Sequence, residues 1–342
     1  MAPRRYWFAL HPDLTRPIGG VKQVHRLAET LISLGRRATL IQDDPTFHPG
    51  WFESQVPAVA RKVLFAGANL DAAHDVVVMP ETFLPLLPSY LPGIPKMIFN
   101  QNGSYTFNLG NAERFLEPSK VLRLYRHPDV RAVLCVSEHD RQLLRAGIAS
   151  VPDRVHRVVN AIETDRFRPD GAKQRWIAFM PRKHAGRDAA IVSALLQSQC
   201  WFQGWRLMPI EGRPQTEVAE ILQRSLVFLA FSQREGFGLP LAEAAACGCH
   251  LIGYTGLGGS EVFSLAASHG SAEVVRDGDW LGFIQSLERF QASLDRDTGG
   301  VAQNLLLSSK AIRTSYGPEA MRASVSEALP RWEVQLDEPL RP

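Results

Sequence analysis

The residues best equipped for chemistry lie between Ser232 and Gly248, in the run Ser-Gln-Arg-Glu-Gly-Phe-Gly-Leu-Pro-Leu-Ala-Glu-Ala-Ala-Ala-Cys-Gly. The apolar stretch Leu226–Phe231 before it reads as a buried strand, and Leu239–Cys247 as a helix. Pro240 then falls in the first helical turn, where a missing N–H costs nothing. The amides around Gly238 and Leu239 are left to hold an anion, because a helix N-terminus carries partial positive charge. Two carboxylates, Glu235 and Glu243, flank this helix start with seven residues between them. A capping or surface carboxylate is the plain reading of each. Beside a site for a phosphate joined to hydroxyl-rich groups they have a second use, since carboxylates accept hydrogen bonds from sugar hydroxyls.

The elements that must position these residues alternate along the whole chain. Short apolar runs at Tyr6–Leu10, Ala38–Gln42, Asp75–Met79, Lys96–Asn100, Ala132–Val136 and Val155–Val159 read as parallel strands covered on both faces. Val21, Val24, Leu27, Ala28, Leu31 and Leu34 recur at helical spacing, and Ser137 caps a further helix that reaches about Ala146. Near Asn160–Asp170 the pattern breaks into a polar, turn-rich stretch that suits a linker. It then restarts, with strands at Trp176–Met180, Arg206–Ile210, Leu226–Phe231 and His250–Tyr254. The helices between them are Ala189–Leu196, Thr216–Arg224 capped by Thr216, Leu239–Cys247 and Ser260–Ala266. Helical patterns at Leu281–Phe290 and Val301–Ser315 follow, and a last one runs to about Trp332. The expected fold class is α/β, two Rossmann-like doubly wound domains that would face a cleft, with ligands outside the carboxyl ends of the strands. Gly19 and Gly20 lie at such an end, directly before a helix. They do not form G-x-G-x-x-G, so a nicotinamide site is disfavoured.

Composition narrows the function classes. The chain has 342 residues, 45% hydrophobic and 21% charged, which fits about two globular domains rather than disorder. Its 38 basic and 35 acidic residues leave a formal charge of +3, too even for a dedicated nucleic-acid binder. Cys135, Cys200, Cys247 and Cys249 make no disulfide framework. Cys247-Gly248-Cys249-His250 lacks a second ligand cluster for a metal and reads as a helix end followed by a buried strand. No segment has the roughly 18 apolar residues of a membrane span. The expected location is the cytoplasm, with peripheral contact at an inner membrane face left open.

The segment around Glu235-x7-Glu243 resembles the signature of retaining GT-B glycosyltransferases, in particular glycosyltransferase family 4. Other stretches resemble that family in the same order: Pro17-Ile18-Gly19-Gly20-Val21 its glycine loop, Cys135-Val136-Ser137-Glu138 its "V-S" strand end, Val159-Asn160-Ala161-Ile162-Glu163 its "P-N-G-V-D" linker, and Gly258-Gly259-Ser260-Glu261 its late "G-G-x-x-E". The resemblance implies that Glu243 binds the ribose hydroxyls of a nucleotide-sugar donor and that Glu235 contacts the transferred sugar. It further implies that Gly236, Phe237, Gly238 and Leu239 offer amides to the sugar or its phosphate, with Gly19 and Gly20 on the donor as well. Arg182 and Lys183 would neutralise the diphosphate. The family spaces its basic pair as Gly-Arg then Lys-Gly. Here the two are adjacent, and Arg187 follows Gly186 as the substitute. Where many members have a His after the fourth strand, this chain has Asn100-Gln101-Asn102-Gly103.

The implied activity is transfer of a hexose-type sugar from a nucleotide diphosphate sugar to a hydroxyl of a glycan, lipid-linked or small-molecule acceptor, with retention and without metal or other cofactor. The expected domains are 1–168 on the acceptor side and 169–317 for the donor, with a helix at about 318–334 returning to the first. The loops Asp43–Phe52 and Gln101–Arg114 would dictate the acceptor. A non-catalytic carbohydrate-binding homologue, a sugar-nucleotide epimerase and a phosphorylase remain as alternatives.

Overall fold

The computed structural model describes residues 4–10, 13–15, 17–67, 70–106, 117–147, 152–181 and 185–338. Its contacts divide the chain into two units, one of Met1–Ala161 with Met321–Pro342 and the other of Ile162–Ala320. The junction falls inside the polar stretch 160–170, ahead of the boundary expected at 168, and its place has a local cause. The Gln23 carboxamide clasps Ala161 from the first unit, donating to its carbonyl at 2.8 Å and accepting from its N–H at 3.1 Å. One residue later, Ile162 donates to the Tyr316 carbonyl of the second unit at 2.8 Å.

The first unit contains β1 (Arg5–Ala9), α1 (Gly19–Ser33), β2 (Arg37–Gln42), β3 (Ala58–Ala60), α2 (Arg61–Gly67), β4 (Asp75–Pro80), β5 (Lys96–Asn100), α3 (Gly103–Thr106), α4 (Pro118–Tyr125), β6 (Val130–Cys135), α5 (Glu138–Gly147) and β7 (Val155–Arg157). Among the described residues these strands form one parallel sheet in the order β3-β2-β1-β4-β5-β6-β7. Every residue of β4, β5 and β6 is buried, which is why apolar residues follow one another without alternation in Val76–Met79, Met97–Phe99 and Ala132–Cys135. The α1 positions Val24, Leu27, Ala28 and Leu31 turn inward at helical spacing and are buried. The Ser137 hydroxyl accepts from the Asp140 N–H at 3.1 Å, capping α5.

The last helix, α12 (Pro318–Asp337), lies mostly in this first unit. Trp332 is fully buried, and its indole N–H donates to the Tyr6 hydroxyl at 3.2 Å. Tyr6 donates in turn to Glu333 at 3.1 Å, and Arg36 grips the same carboxylate with two bonds of 2.7 and 2.8 Å. Burying an indole of that size contributes on the order of 3 kcal/mol, and the two-pronged Arg36 contact fixes the helix's register.

The second unit contains β8 (Gln174–Phe179), α6 (Ala185–Gln197), β9 (Arg206–Pro209), α7 (Gln215–Arg224), β10 (Ser225–Ala230), α8 (Leu239–Ala246), β11 (His250–Gly253), α9 (Ser260–Ala267), β12 (Ala272–Val274), α10 (Trp280–Arg296) and α11 (Thr298–Tyr316). Its strands, among the described residues, form a parallel sheet ordered β12-β11-β10-β8-β9. Ile177, Val227, Leu229 and Ile252 from the strands pack with Val192, Leu196, Phe283 and Leu287 from the helices. Asp279 and Asp297 cap α10 and α11, accepting from the N–H groups of Gly282 and Gly300 at 2.9 and 2.8 Å.

The expected cap at Thr216 is wrong. Helix α7 begins one residue earlier, after Pro214, with no side chain capping it; proline's fixed φ, −64° here, already sets the entry that a cap would otherwise enforce. The cysteine pair is structural. Cys247 ends α8, Cys249 donates to the Leu222 and Ser225 carbonyls at 3.2 and 3.3 Å, and His250 stacks on Phe290. No helix among the described residues is long and apolar enough to cross a membrane.

Candidate active site

A doubly wound sheet opens a crevice where consecutive connections leave in opposite directions. In the second unit that point lies between β8 and β10: the chain passes from β8 outward to β9, then returns to β10 on the other side. Both neighbours of β10 are in register with it, Phe179 opposite Leu229 and Gly253 opposite Ala230. The carboxyl ends of β8, β10 and β11 are therefore adjacent, and the segment Ser232–Gly238 begins at the middle one.

Its backbone is built by close approach to the segment after β11. The Glu235 N–H donates to the Gly256 carbonyl at 2.7 Å, and the Glu235 carbonyl accepts from the Gly258 N–H at 3.0 Å. Gly258 lies so close that a Cβ there would stand 1.9 Å from the Gly236 carbonyl oxygen. Leu257, between the two glycines, is left-handed at φ 68°. Such strain in a leucine costs roughly 1–3 kcal/mol and persists only where the surroundings impose it.

Gly236, Phe237 and Gly238 are buried, and the Phe237 ring lies 4.9 Å from that of Tyr316. Gly238 precedes α8 in the left-handed region, φ 84° and ψ 61°, a conformation that glycine adopts without steric cost. Its carbonyl accepts from Leu241 and Ala242 at 3.0 and 3.1 Å. With no N–H on Pro240, what the helix start can offer an anion is the N–H of Leu239 and of residues before it. Glu235 is half-buried; Glu243, one turn into α8, is buried.

Arg182 and Lys183 lie outside the described residues; β8, the strand that leads to them, is paired with β10. Arg187, the third residue of α6, is exposed. The neighbouring Asp188 is buried and had no place in the sequence reading. It accepts from the Tyr254 hydroxyl at 3.0 Å, and that hydroxyl accepts from the Gly278 N–H at 3.1 Å. Burial, with Asp188 as partner, raises the Tyr254 phenol well above its ordinary range. The end of β11 is thereby tied to the first turn of α6.

The first unit has its own switch point, between β1 and β4. Gly19 and Gly20 open α1 after Ile18, whose carbonyl accepts from Val21 and Lys22 at 3.0 and 3.3 Å. A Cβ on Gly20 would stand 3.0 Å from the Gln101 carboxamide oxygen. Gln101 follows β5, and Glu81 follows β4. Glu81 is 3% exposed and accepts from the Gln101 N–H at 3.0 Å and from the Asn102 N–H at 3.1 Å. Burial pushes its pKa up to about 7, with the Asp140 charge adding to the rise. Asp140, 1% exposed, takes the Gly103 N–H at 3.0 Å. The Asn100 oxygen accepts from the Thr106 hydroxyl at 3.0 Å and from Tyr125. Glu81 follows a proline and carries no pattern that singles it out in the sequence.

Residues 207–290, which include Glu235 and Glu243, match the family model for glycosyl transferases group 1. An alpha-1,6-glucosyltransferase of Actinobacillus pleuropneumoniae serotype 7 (strain AP76) is 28% identical over 220 residues, 62% of this chain. The match spans 60% of that relative's length. Among solved structures, sucrose-phosphate synthase from Thermosynechococcus elongatus superposes with a TM-score of 0.67 at 12% identity, covering 96% of this chain and 98% of that one. Anabaena HepE in complex with UDP-glucose gives a TM-score of 0.67 at 11% identity, over 95% of this chain and 99% of that one. The pneumococcal O-GlcNAc transferase GtfA, in complex with UDP and GlcNAc, gives 0.66 at 10% identity, over 99% and 100%. The chain thus has the GT-B fold of glycosyltransferases, and its second unit carries a segment similar to the glycosyl transferases group 1 family.

Proposed function

We propose that this protein is a retaining glycosyltransferase of the family 4 type. It moves a hexose-type sugar, glucose first among the candidates, from a nucleoside diphosphate sugar to a hydroxyl of a glycan, lipid-linked or small-molecule acceptor. One observation carries the reading: at the switch point of the second unit, a backbone-braced loop delivers Glu235, a helix N-terminus and Glu243 in succession. The names of the relatives support glucose and a uridine nucleotide as first probes. The second unit holds the donor and the first reads the acceptor.

Glu243 takes the ribose hydroxyls and Glu235 the transferred sugar. The amides from Gly236 to Leu239 hold the sugar and its phosphate. In the chemical step the bond from the sugar's anomeric carbon to the phosphate oxygen breaks. The acceptor oxygen bonds to that carbon from the same face, and the departing phosphate takes the acceptor's proton. The leaving group gains negative charge as it departs, and helix amides supply only about half a positive charge. Arg182 and Lys183 supply the rest, with no metal required.

The test is binding followed by turnover. UDP-, GDP-, dTDP- and ADP-glucose are screened by thermal shift, since a ligand of the native state raises its melting temperature. The preferred donor is then assayed for hydrolysis with and without EDTA. Stabilisation by one nucleotide sugar and EDTA-resistant turnover are expected. No stabilisation by any of them, or a strict need for added manganese or magnesium, overturns the reading.

A further inference from the structure

The first unit holds a pair of buried carboxylates that the transfer chemistry does not use. They come from elements far apart in the chain, Glu81 after β4 and Asp140 in the first turn of α5. Between them they accept three consecutive backbone N–H groups: Glu81 takes Gln101 and Asn102, and Asp140 takes Gly103. The segment they grip starts where β5 ends. Strand β5 neighbours β4, and β4 neighbours β1 at the switch point. The grip has a visible consequence, because the Gln101 carboxamide comes to lie over Gly20, the second residue of α1. A carboxamide is donor and acceptor at once, which suits a sugar hydroxyl.

We propose that Glu81 and Asp140 are positioning residues for the acceptor side of the transfer: they hold Gln101, Asn102 and Gly103 in place and so seat the Gln101 carboxamide beside Gly20 to receive an acceptor hydroxyl. The proposal rests on the glycosyltransferase reading above. An ionised Glu81 holds two amides with charge-assisted bonds, and protonation weakens both. The groups facing it are Asp140 from α5, the Tyr125 phenol from α4, and the Gln101 and Asn102 amides. Asp140 and its own burial make Glu81 easier to protonate, with a midpoint at about 7. Its grip therefore tightens as the pH rises through neutrality.

Hydrogen exchange of the intact protein tests this. Exchange is expressed as protection relative to the free amide at each pH, in wild type, Glu81→Gln and Asp140→Asn. A glutamine at 81 sets one acceptor and one donor against two N–H groups, so one amide loses its partner. At pH 8, protection of whichever of Gln101 and Asn102 the carboxamide nitrogen faces is expected to fall about tenfold in Glu81→Gln, the equivalent of roughly 1.4 kcal/mol. Wild-type protection at these two amides steps down between pH 8 and pH 6, and the variant shows no step. Asp140→Asn lowers Gly103 and keeps the Glu81 step. UDP affinity stays within about twofold in both variants, because the donor belongs to the other unit. Equal protection in wild type and Glu81→Gln, or a wild-type profile without the step, overturns the proposal, as does a large loss of UDP affinity in Glu81→Gln. Failure of the wild type to bind UDP counts against the donor reading, while the exchange profile judges the carboxylate grip independently.

Discussion

The two switch points of this molecule are built in opposite ways. In the second unit, the loop after β10 is held by backbone against backbone. Glu235 bonds to Gly256 and Gly258, and Gly258 approaches Gly236 more closely than any side chain would allow. In the first unit, the loop after β5 is held by side chains reaching in from a distance, with Glu81 and Asp140 gripping three amides. The first construction depends on the absence of side chains and is insensitive to pH. The second depends on two buried acids, and burial raises the pKa of one of them, Glu81, to about 7. On the proposed function, the first would hold a phosphate group and can be rigid, while the second would face the acceptor and can be tuned by its supports.

Gly258→Val gives the largest expected break in this comparison. With a carbonyl oxygen 1.9 Å from the new Cβ, the second unit must shift backbone, and a loss of about 4 kcal/mol or more in urea unfolding is expected. Gly20→Ala meets the far end of a flexible glutamine instead, and its stability should stay within about 1 kcal/mol of wild type. Similar losses in the two variants would erase the distinction between backbone and side-chain bracing.

The next effect is the pH dependence of stability. The Glu81 pKa is raised in the fold from 4.5 to about 7. The folded state therefore binds more protons than the unfolded one in that interval. The stabilisation that results is complete below pH 4.5 and is lost as the pH rises through 7, by roughly 3 kcal/mol in all. Glu81→Gln should flatten that part of the stability profile, measured by denaturant unfolding from pH 5 to 8. A profile of unchanged slope in the variant would remove Glu81 as its cause. The ionisation that tightens the grip on Gln101 and Asn102 thus lowers global stability.

Glu243→Ala probes the second unit alone. Losing a carboxylate acceptor for ribose hydroxyls should weaken UDP binding by about 1.5–3 kcal/mol in calorimetry, with protection at Gln101 and Asn102 untouched. Equal UDP affinity in wild type and variant would sink the ribose assignment. The smallest effect is expected at Asp297→Ala, which removes the cap of α11 and should cost about 1 kcal/mol of stability in urea unfolding without changing UDP affinity. A change in UDP affinity there would mean that the donor loop is less self-contained than its backbone bonds imply.

Much of the fold was legible because its signals are local. The strands β4, β5, β6 and β10 carry unbroken apolar runs at Val76–Met79, Met97–Phe99, Ala132–Cys135 and Leu226–Ala230, and all their residues are buried. Pro240 and the glycines before it announce the start of α8 from their own backbone chemistry. Elements whose stability comes from neighbours were not legible. The three-residue β3 and β12 are too short to show a period, and the short helices α2 and α4 carry no helical stripe long enough to read. Thr216 misled because its residue type suits a cap while Pro214 already opens the helix.

By itself, the order of residues determined the α/β class, the two parallel sheets and the segment from Glu235 to Glu243, since each follows from hydrophobic periodicity or from backbone restrictions within a few neighbours. Only the tertiary structure decided that Gly258 must be small, that Asp188 and Tyr254 tie α6 to β11, and that Glu81 and Asp140 share one loop. Those roles are created by sheet order, which sets residues far apart in the chain side by side. Burial there turns an ordinary glutamate into a group that titrates near neutrality.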